Sequence, residues 1–232
     1  MKKEYLKHLN ERSHGAHFVW LGRINVYNAK DLADGINIGE VLEDVEEALP
    51  PEFLSNIESI YIGKFKELDR RHLSAVYDNG AIYISSEDVV NEDDLVDDII
   101  HEIAHSLEET RAIDIYGDGQ LEREFIIKRL QLFAALKDEE VPFFPRDYFI
   151  NTEYSEEFDQ YLYKEVGYPL LASLTTGLFM SPYGATSLRE YFANAFEKYF
   201  LGAHEEVKSV SPQAYKKIKN LTEEEEEEYG NF

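Results

Sequence analysis

The apolar residues of this chain change their spacing near residue 90, and this change constrains the fold more than any other feature. Before it, the segments IESIYIGKF (57–65) and LSAVYDNGAIYISS (73–86) alternate apolar and polar residues, which is the pattern of β-strands. From Asn91 onward, apolar residues recur every three or four positions, as on one face of an α-helix. Strands followed by helices predict an α+β fold.

Local signals place the elements more closely. The DNG triplet at 78–80, between two alternating segments, predicts a hairpin, and HFVWLGRINVYNA (17–29) adds a further strand. Asn91, with Asp94 in the first turn, caps the first long helix. An amphipathic stretch lies near 39–49, and the other predicted helices cover 122–137, 155–165 and 187–200.

The composition is that of one globular domain. The 232 residues are 44% hydrophobic and 13% aromatic, which suffices for a sizeable core. No internal repeat and no Gly/Ser-rich or Pro-rich linker divides the chain, so we expect a single domain over residues 1–232. The glutamate run at 223–228 predicts an acidic C-terminal tail, residues 222–232, that is solvated or ends a helix.

With 23 basic and 47 acidic residues, the formal net charge is -24. Such a charge repels nucleic acid phosphates and acidic membrane surfaces and favours a basic partner. No apolar run approaches the roughly 18 residues that span a bilayer, and no apolar signal segment follows Met1. We therefore expect a cytoplasmic protein that binds neither nucleic acid nor membranes, with release by another route or a viral origin left open. Because the chain has no cysteine, any metal ligand must be a histidine or a carboxylate.

The segment DDIIHEIAHSLEE (97–109) places two histidines four residues apart on a predicted helix, with a glutamate after the first. His101 and His105 then lie about 40° apart around the helix, so both can reach one zinc ion while Glu102 acts on a zinc-activated water. The same spacing also fits a solvated helix face that Asp94 and Asp98 share. The pattern alone leaves both interpretations open.

A catalytic zinc of this kind needs a third protein ligand. Glu190 is one candidate, on the first turn of the helix SLREYFANAFEKYF and on the same polar stripe as Asn194. The alternative is structural, because Ser187 and Glu190 fit a capping box. The rival ligands, closer to the histidines in sequence, are Glu122 and Glu124.

Three motifs in this order, DNGAIYIS, DLVDDIIHEIAHSLEE and SPYGATSLREYFANAFEKYFLG, resemble those of the anthrax toxin lethal factor-like zinc metallopeptidases. These toxin-related, gluzincin-type HExxH zincins include the bacterial Pro-Pro endopeptidases. The likeness covers roughly residues 50–110 and 175–220. It implies a zincin-like metallopeptidase domain with a small mixed sheet and an HExxH active-site helix packed by further helices.

By this resemblance the chain is a zinc metalloendopeptidase with one zinc ion, held by His101, His105 and Glu190. Glu102 is then the general base, and Tyr183 is the active-site tyrosine that donates to the oxyanion. The implied reaction is hydrolysis of a peptide or protein substrate by a zinc-activated water. The acidic surface favours basic residues near the scissile bond, and AIYIS (81–85) is the expected sheet edge for the substrate backbone.

Two features depart from the family pattern. Asn194 stands where the family helix commonly carries a second acid, as in ExxAEAF, and residues 111–175 align with no part of the family. Two other classes of function therefore stay open. One is a catalytically silent zinc-binding interaction protein of the same fold, and the other is an acidic mimic of nucleic acid that binds a basic protein.

Overall fold

A computed structural model of the chain describes residues 16–28, 35–71, 73–87 and 89–229. The fold is α+β, with a five-stranded mixed sheet and many helices, as the change in apolar spacing predicts. The chain forms two compact units, Met1–Glu109 and Thr110–Phe232. The sheet belongs to the first unit and the second is helical, while the single domain over 1–232 stays a prediction.

The first unit is built on a sheet with the strand order β1-β2-β3-β5-β4. Neighbours β1 and β2, and likewise β4 and β5, are antiparallel, whereas β3 pairs in parallel with both β2 and β5. The segment 17–29 thus contributes two strands joined by a tight turn, where one was predicted. The bounds are β1 (Ala16–Trp20), β2 (Ile24–Asn28), β3 (Ser59–Gly63), β4 (Ala75–Asp78) and β5 (Ala81–Ser85).

The prediction that residues 81–85 form the edge of the sheet is wrong. Strand β5 lies between β3 and β4, and all five of its residues are buried. A strand covered on both faces is apolar throughout, and Ala81, Ile82, Tyr83 and Ile84 form such a run. Strand β4 is the edge strand at this side of the sheet.

The hairpin of β4 and β5 has the predicted turn. Asn79 and Gly80 both have positive φ, 48° and 79°, as a type I′ turn requires. A Cβ atom on Gly80 would lie 3.2 Å from the Cγ of Glu58, so this position is tight as well as left-handed. The hairpin therefore depends on its glycine.

An aromatic ladder on one face of the sheet fixes β5 against its neighbours. Tyr27, Tyr61 and Tyr83 occupy paired positions on adjacent strands and stack with ring centroids 4.8 and 5.1 Å apart. Phe65 packs edge-on against Tyr83, and Leu68 joins the same cluster. Such aromatic pairs stabilise by about 0.5–1.5 kcal/mol each beyond their burial.

Among the described residues, the first unit also contains a 3-10 turn (Pro51–Leu54), two α-helices and most of a third. Two flank β3 in sequence, α1 (Ile38–Ala48), which occupies the predicted amphipathic stretch, and α2 (Lys66–Arg71). The long helix α3 (Glu92–Tyr116) begins at the predicted cap. There Asn91 Oδ1 accepts from the Asp94 N–H at 2.9 Å and Asp94 Oδ2 accepts from the Asn91 N–H at 3.2 Å.

The second unit contains the last residues of α3, whose backbone departs from helical values at Arg111, and the helices that follow it. The predicted helices at 122–137 and 187–200 are confirmed as α4 and α8, and the region 155–165 is helical but changes to π-helix from Tyr161. The acidic run at 223–228 lies in the last turns of α10. The bounds are α4 (Gln120–Leu136), α5 (Arg146–Ile150), α6 (Glu156–Gln160), a π-helix (Tyr161–Gly167), α7 (Tyr168–Thr175), α8 (Leu188–Phe200), α9 (His204–Val210) and α10 (Pro212–Tyr229).

The structure bears on membrane insertion in one respect. Within the described ranges, no helix combines the length and the apolar character needed to cross a bilayer.

Candidate metal centre

The HEIAH motif lies in the middle of α3, in the first unit. Helical spacing brings His101, Glu102 and His105 together, with ligand atoms that all lie within 4.8 Å of one another. The imidazole centroids are 5.1 Å apart. Two imidazoles one helical turn apart can serve one zinc ion, so His101 and His105 fit the metal that the motif implies, and the Glu102 carboxylate lies beside them.

Burial argues against a merely solvated helix face. Glu102 is only 5% exposed and His105 only 8% exposed. An acidic side chain is rarely this buried unless it is bonded or has a role, because removing its charge from water is unfavourable. A solvated helix face therefore does not account for the burial of these two residues.

The carboxylate of Glu108 lies beside the Nδ1 atom of His105. This Nδ1 atom lies 3.6 Å from Glu108 Oε1, three residues further on. At 3.6 Å this is an ion-pair contact rather than a hydrogen bond, and the carboxylate favours a proton on Nδ1. The local sequence HSLE therefore places an acidic group beside His105.

Glu102 is held by the edge strand of the sheet. The backbone N–H of Tyr77, in β4, donates to Glu102 Oε2 at 2.5 Å. Charge-assisted bonds of this kind are stronger than neutral ones and fix the carboxylate in place. Sequence reasoning missed this contact, because a main-chain donor leaves no mark in the residue type of position 77.

The Tyr77 side chain makes a second link from β4 to the same helix. Its hydroxyl donates to Glu109 Oε2 at 2.7 Å and accepts from the Gly80 N–H at 3.0 Å. Burial, reinforced by the hydrogen bond to Glu109, raises the pKa of Tyr77 to about 12. Strand β4 is therefore bonded to α3 on both sides of His105.

The other predicted site residues, Tyr183 and Glu190, lie in the second unit. Tyr183 begins a short 3-10 turn, Tyr183–Ala185, and Glu190 lies in the first turn of α8. Ser187 is the N-cap, and its Oγ accepts from the Glu190 N–H at 3.2 Å. Half of the predicted capping box is thus present, and it uses the backbone of Glu190.

Asn194 is buried, with 6% exposure, rather than part of an exposed polar stripe. Its Nδ2 donates to the Glu190 carbonyl oxygen at 2.8 Å, and its Oδ1 accepts from the Ser181 hydroxyl. Ser181 Oγ in turn accepts from the Gly184 N–H at 3.2 Å. Asn194 therefore ties the turn that carries Tyr183 to the helix that carries Glu190.

Arg129 of α4 fixes the chain just before α8. This buried guanidinium donates to the carbonyl oxygens of Asn151 at 3.0 Å and Thr186 at 3.3 Å, and also to that of Tyr148. Burial lowers its pKa to about 9, which still leaves it charged at neutral pH. Three main-chain acceptors from separate segments converge on this one side chain.

The rival ligand Glu124 already serves a structural purpose. It accepts from the Tyr191 hydroxyl at 2.8 Å and from the Gln213 N–H at 3.1 Å, which joins α4 to α8 and α10. Burial raises the pKa of Tyr191, so this hydroxyl stays a neutral donor. Glu122, the other rival, is exposed on α4.

The chain was compared with known proteins at three levels. No family model, no curated protein and no solved structure matches it.

Proposed function

We propose that this protein is a zinc-dependent metalloendopeptidase of the zincin type. The observation that carries the proposal is the arrangement in α3, where two histidines flank a buried glutamate that the edge strand holds by a main-chain hydrogen bond. Burying Glu102 and His105 together is unfavourable in itself, and a solvated helix face does not require it. The order of the three motifs supports the same class.

One zinc ion per chain would be held by His101 and His105, with Glu190 as the proposed third protein ligand. When bound, zinc supplies a Lewis acid that makes water acidic enough to react near neutral pH. Glu190 is the position that the family resemblance assigns, and Glu124 is the weaker candidate because its carboxylate accepts hydrogen bonds from Tyr191 and Gln213.

Glu102 is the proposed general base. Its Oε2 atom is bonded to the Tyr77 N–H, so its Oε1 atom is oriented by the same contact and can take a proton from water. The same oxygen then returns the proton to the leaving amine. The Tyr183 hydroxyl is the proposed donor to the oxyanion, on a turn that Asn194 and Ser181 hold rigid.

The proposed substrate is a peptide or protein with basic residues near the scissile bond, since the chain carries a net charge of -24. Because β4 is the edge strand beside Glu102, the substrate backbone is expected to pair with β4 rather than with β5.

Zinc content and peptide-library digestion, measured on the wild type and on Glu102→Gln, test the proposal together. We expect one zinc per chain in both proteins and a loss of cleavage of about 10²–10⁴-fold in the variant, because only the proton transfer is removed. Glu43→Gln, an exposed change of the same chemistry on α1, is the control and should cleave like the wild type. Undiminished turnover in Glu102→Gln would exclude Glu102 as the base.

Asn194 favours a second candidate, a zincin-type protein that binds zinc without cleaving peptides. The amide oxygen and the amide nitrogen of Asn194 both form hydrogen bonds within the second unit. The family pattern has an acidic residue at this position. Wild-type protein that holds zinc but cleaves no library peptide would support this candidate. Metal-free protein with a stable fold would instead favour the acidic mimic.

A further inference from the structure

The second unit contains a cleft that the proposed chemistry does not use. Its volume is about 590 Å³, within the range of ligand sites, and it is formed by residues 142–148 together with α6 and the π-helix. These residues fall inside the segment 111–175 that matched no family motif. The cleft therefore needs an explanation of its own.

Aromatic rings form the cleft. Phe144 stacks on Tyr161 with centroids 4.3 Å apart and lies 4.7 Å from Tyr148. Phe143 also lines the cleft and is 77% exposed, an unfavourable position for a large apolar ring with no partner. Pro142 and Pro145 restrict the backbone around these rings, so the cleft is formed before any ligand arrives.

The rim of the cleft carries two carboxylates and one amine. Glu157 accepts from the Tyr148 hydroxyl, and Glu165 is close enough to Tyr161 that its charge adds to burial in raising the pKa of that tyrosine. Lys164 also lines the cleft. The net charge of these three groups is negative, like that of the whole chain.

The same aromatic cluster already binds a guanidinium on its inner side. The Cζ atom of Arg129 lies 4.2 Å from the ring centroid of Phe158. The Phe158 ring in turn packs against Phe144, with centroids 5.8 Å apart. A planar cation is attracted to such ring faces, and arginine more than lysine, because its guanidinium stacks.

From these observations we propose that the cleft binds an arginine side chain presented by a polypeptide partner. The guanidinium stacks on the half-buried ring of Tyr148 while its N–H groups donate to Glu157 and Glu165. Phe143 covers the apolar stem of the bound arginine. This site stands independently of zinc and of peptide cleavage.

Binding is tested with the synthetic peptide acetyl-Gly-Leu-Arg-Leu-Gly-amide, added to the full chain carrying Glu102→Gln so that no cleavage interferes. The matched probe replaces arginine by citrulline, which has the same shape without the charge. Binding is followed by NMR, through the ring and amide signals of Phe143, Tyr148 and Tyr161. We expect saturable shifts at these residues and binding at least about tenfold weaker for the citrulline peptide.

Single substitutions locate the binding. Glu165→Gln and Phe143→Ser should each weaken it severalfold, and Lys164→Gln should strengthen it, because the competing positive charge is removed. The matched controls, Glu206→Gln and Ile127→Ser, change exposed residues outside the cleft and should leave binding unchanged.

Three results would overturn the proposal. The first is no shift at the cleft residues at millimolar peptide. The second is equal binding of the arginine and citrulline peptides. The third is an equal loss of peptide affinity in Glu165→Gln and Glu206→Gln, which would mean that the peptide is attracted to the acidic protein as a whole and not to the cleft. None of these results bears on whether the wild type cleaves peptides, so the two proposals can fail separately.

Discussion

Glu102 shows how a residue of the HEIAH motif is held in place by contacts from outside the motif. Its Oε2 atom accepts from the main chain of Tyr77, and one turn later His105 faces Glu108. That Glu102 and His105 lie close together could be predicted from the sequence, because HExxH is a local pattern on a helix. The Tyr77 contact could not, because it depends on where a strand 25 residues earlier is placed.

Glu190 and Glu124 are distinguished by zinc content and stability measured on the same two variants. Glu190→Ala should lower zinc occupancy without removing the Ser187 cap, which uses the Glu190 backbone, and the free energy of unfolding of the metal-free protein is measured for comparison. Glu124→Ala should keep zinc but lower that free energy by about 1–3 kcal/mol, because the buried Tyr191 hydroxyl loses its acceptor. The reverse order would mean that the third ligand has been misassigned.

Tyr77→Phe removes only the hydroxyl that links β4 to Glu109. At pH 7 we expect the free energy of unfolding to fall by about 1 kcal/mol. The pKa of Tyr77 rises on folding from 10.0 to about 12, so its contribution is complete below pH 10 and is lost as the pH rises towards 12. The difference in free energy of unfolding between wild type and variant, measured by denaturant unfolding, should therefore become smaller between pH 10 and 12. A gap that stays constant from pH 9 to 12 would contradict the assigned bond to Glu109.

At the scale of elements, α4 stabilises the second unit through buried cations on one side of the helix. Lys128 donates to the carbonyl oxygens of Leu178 and Val210, and its neighbour Arg129 to those of three further residues. Carbonyl groups at the ends of helices and in turns lack helical partners, and these side chains satisfy them. The sequence predicted the helix, but it did not predict that two of its charged residues are buried.

Arg129→Lys tests this function of α4. Lysine keeps the charge but cannot direct donors at three carbonyl oxygens, so we expect the free energy of unfolding to fall by about 3 kcal/mol. Arg146→Lys on α5 is the control, because Arg146 is exposed and should change stability by less than about 0.5 kcal/mol. Equal losses of stability in the two variants, measured by thermal unfolding, would show that the three hydrogen bonds from Arg129 to main-chain carbonyl groups do not stabilise the fold.

At the scale of the whole molecule, charge is the dominant property. A net charge of -24 on 232 residues makes the folded chain repel itself. Lys64–Glu87 and Arg70–Glu67 are among its exposed ion pairs, and such surface pairs contribute little. We therefore expect the acidic balance to act on stability rather than on the fold.

Salt concentration tests this effect. Raising sodium chloride from 0.01 to 0.1 M shortens the Debye length from about 30 to about 10 Å and screens the repulsion. We therefore expect the midpoint of thermal unfolding, measured by calorimetry on metal-free protein, to rise by several degrees. A midpoint that falls with salt would mean that attractive ion pairs outweigh the repulsion.

The sequence by itself determined the α+β class, the DNG hairpin, the capped helix α3 and the HEIAH cluster, because each rests on spacing or contacts within a few residues. Only the tertiary structure decided that β4 and not β5 is the edge, that Tyr77 holds Glu102, and that Asn194 and Arg129 are buried among main-chain carbonyl groups and turns. The reason is physical. Strand order and the destination of a buried polar group depend on residues distant in the chain, and many arrangements satisfy the same local pattern.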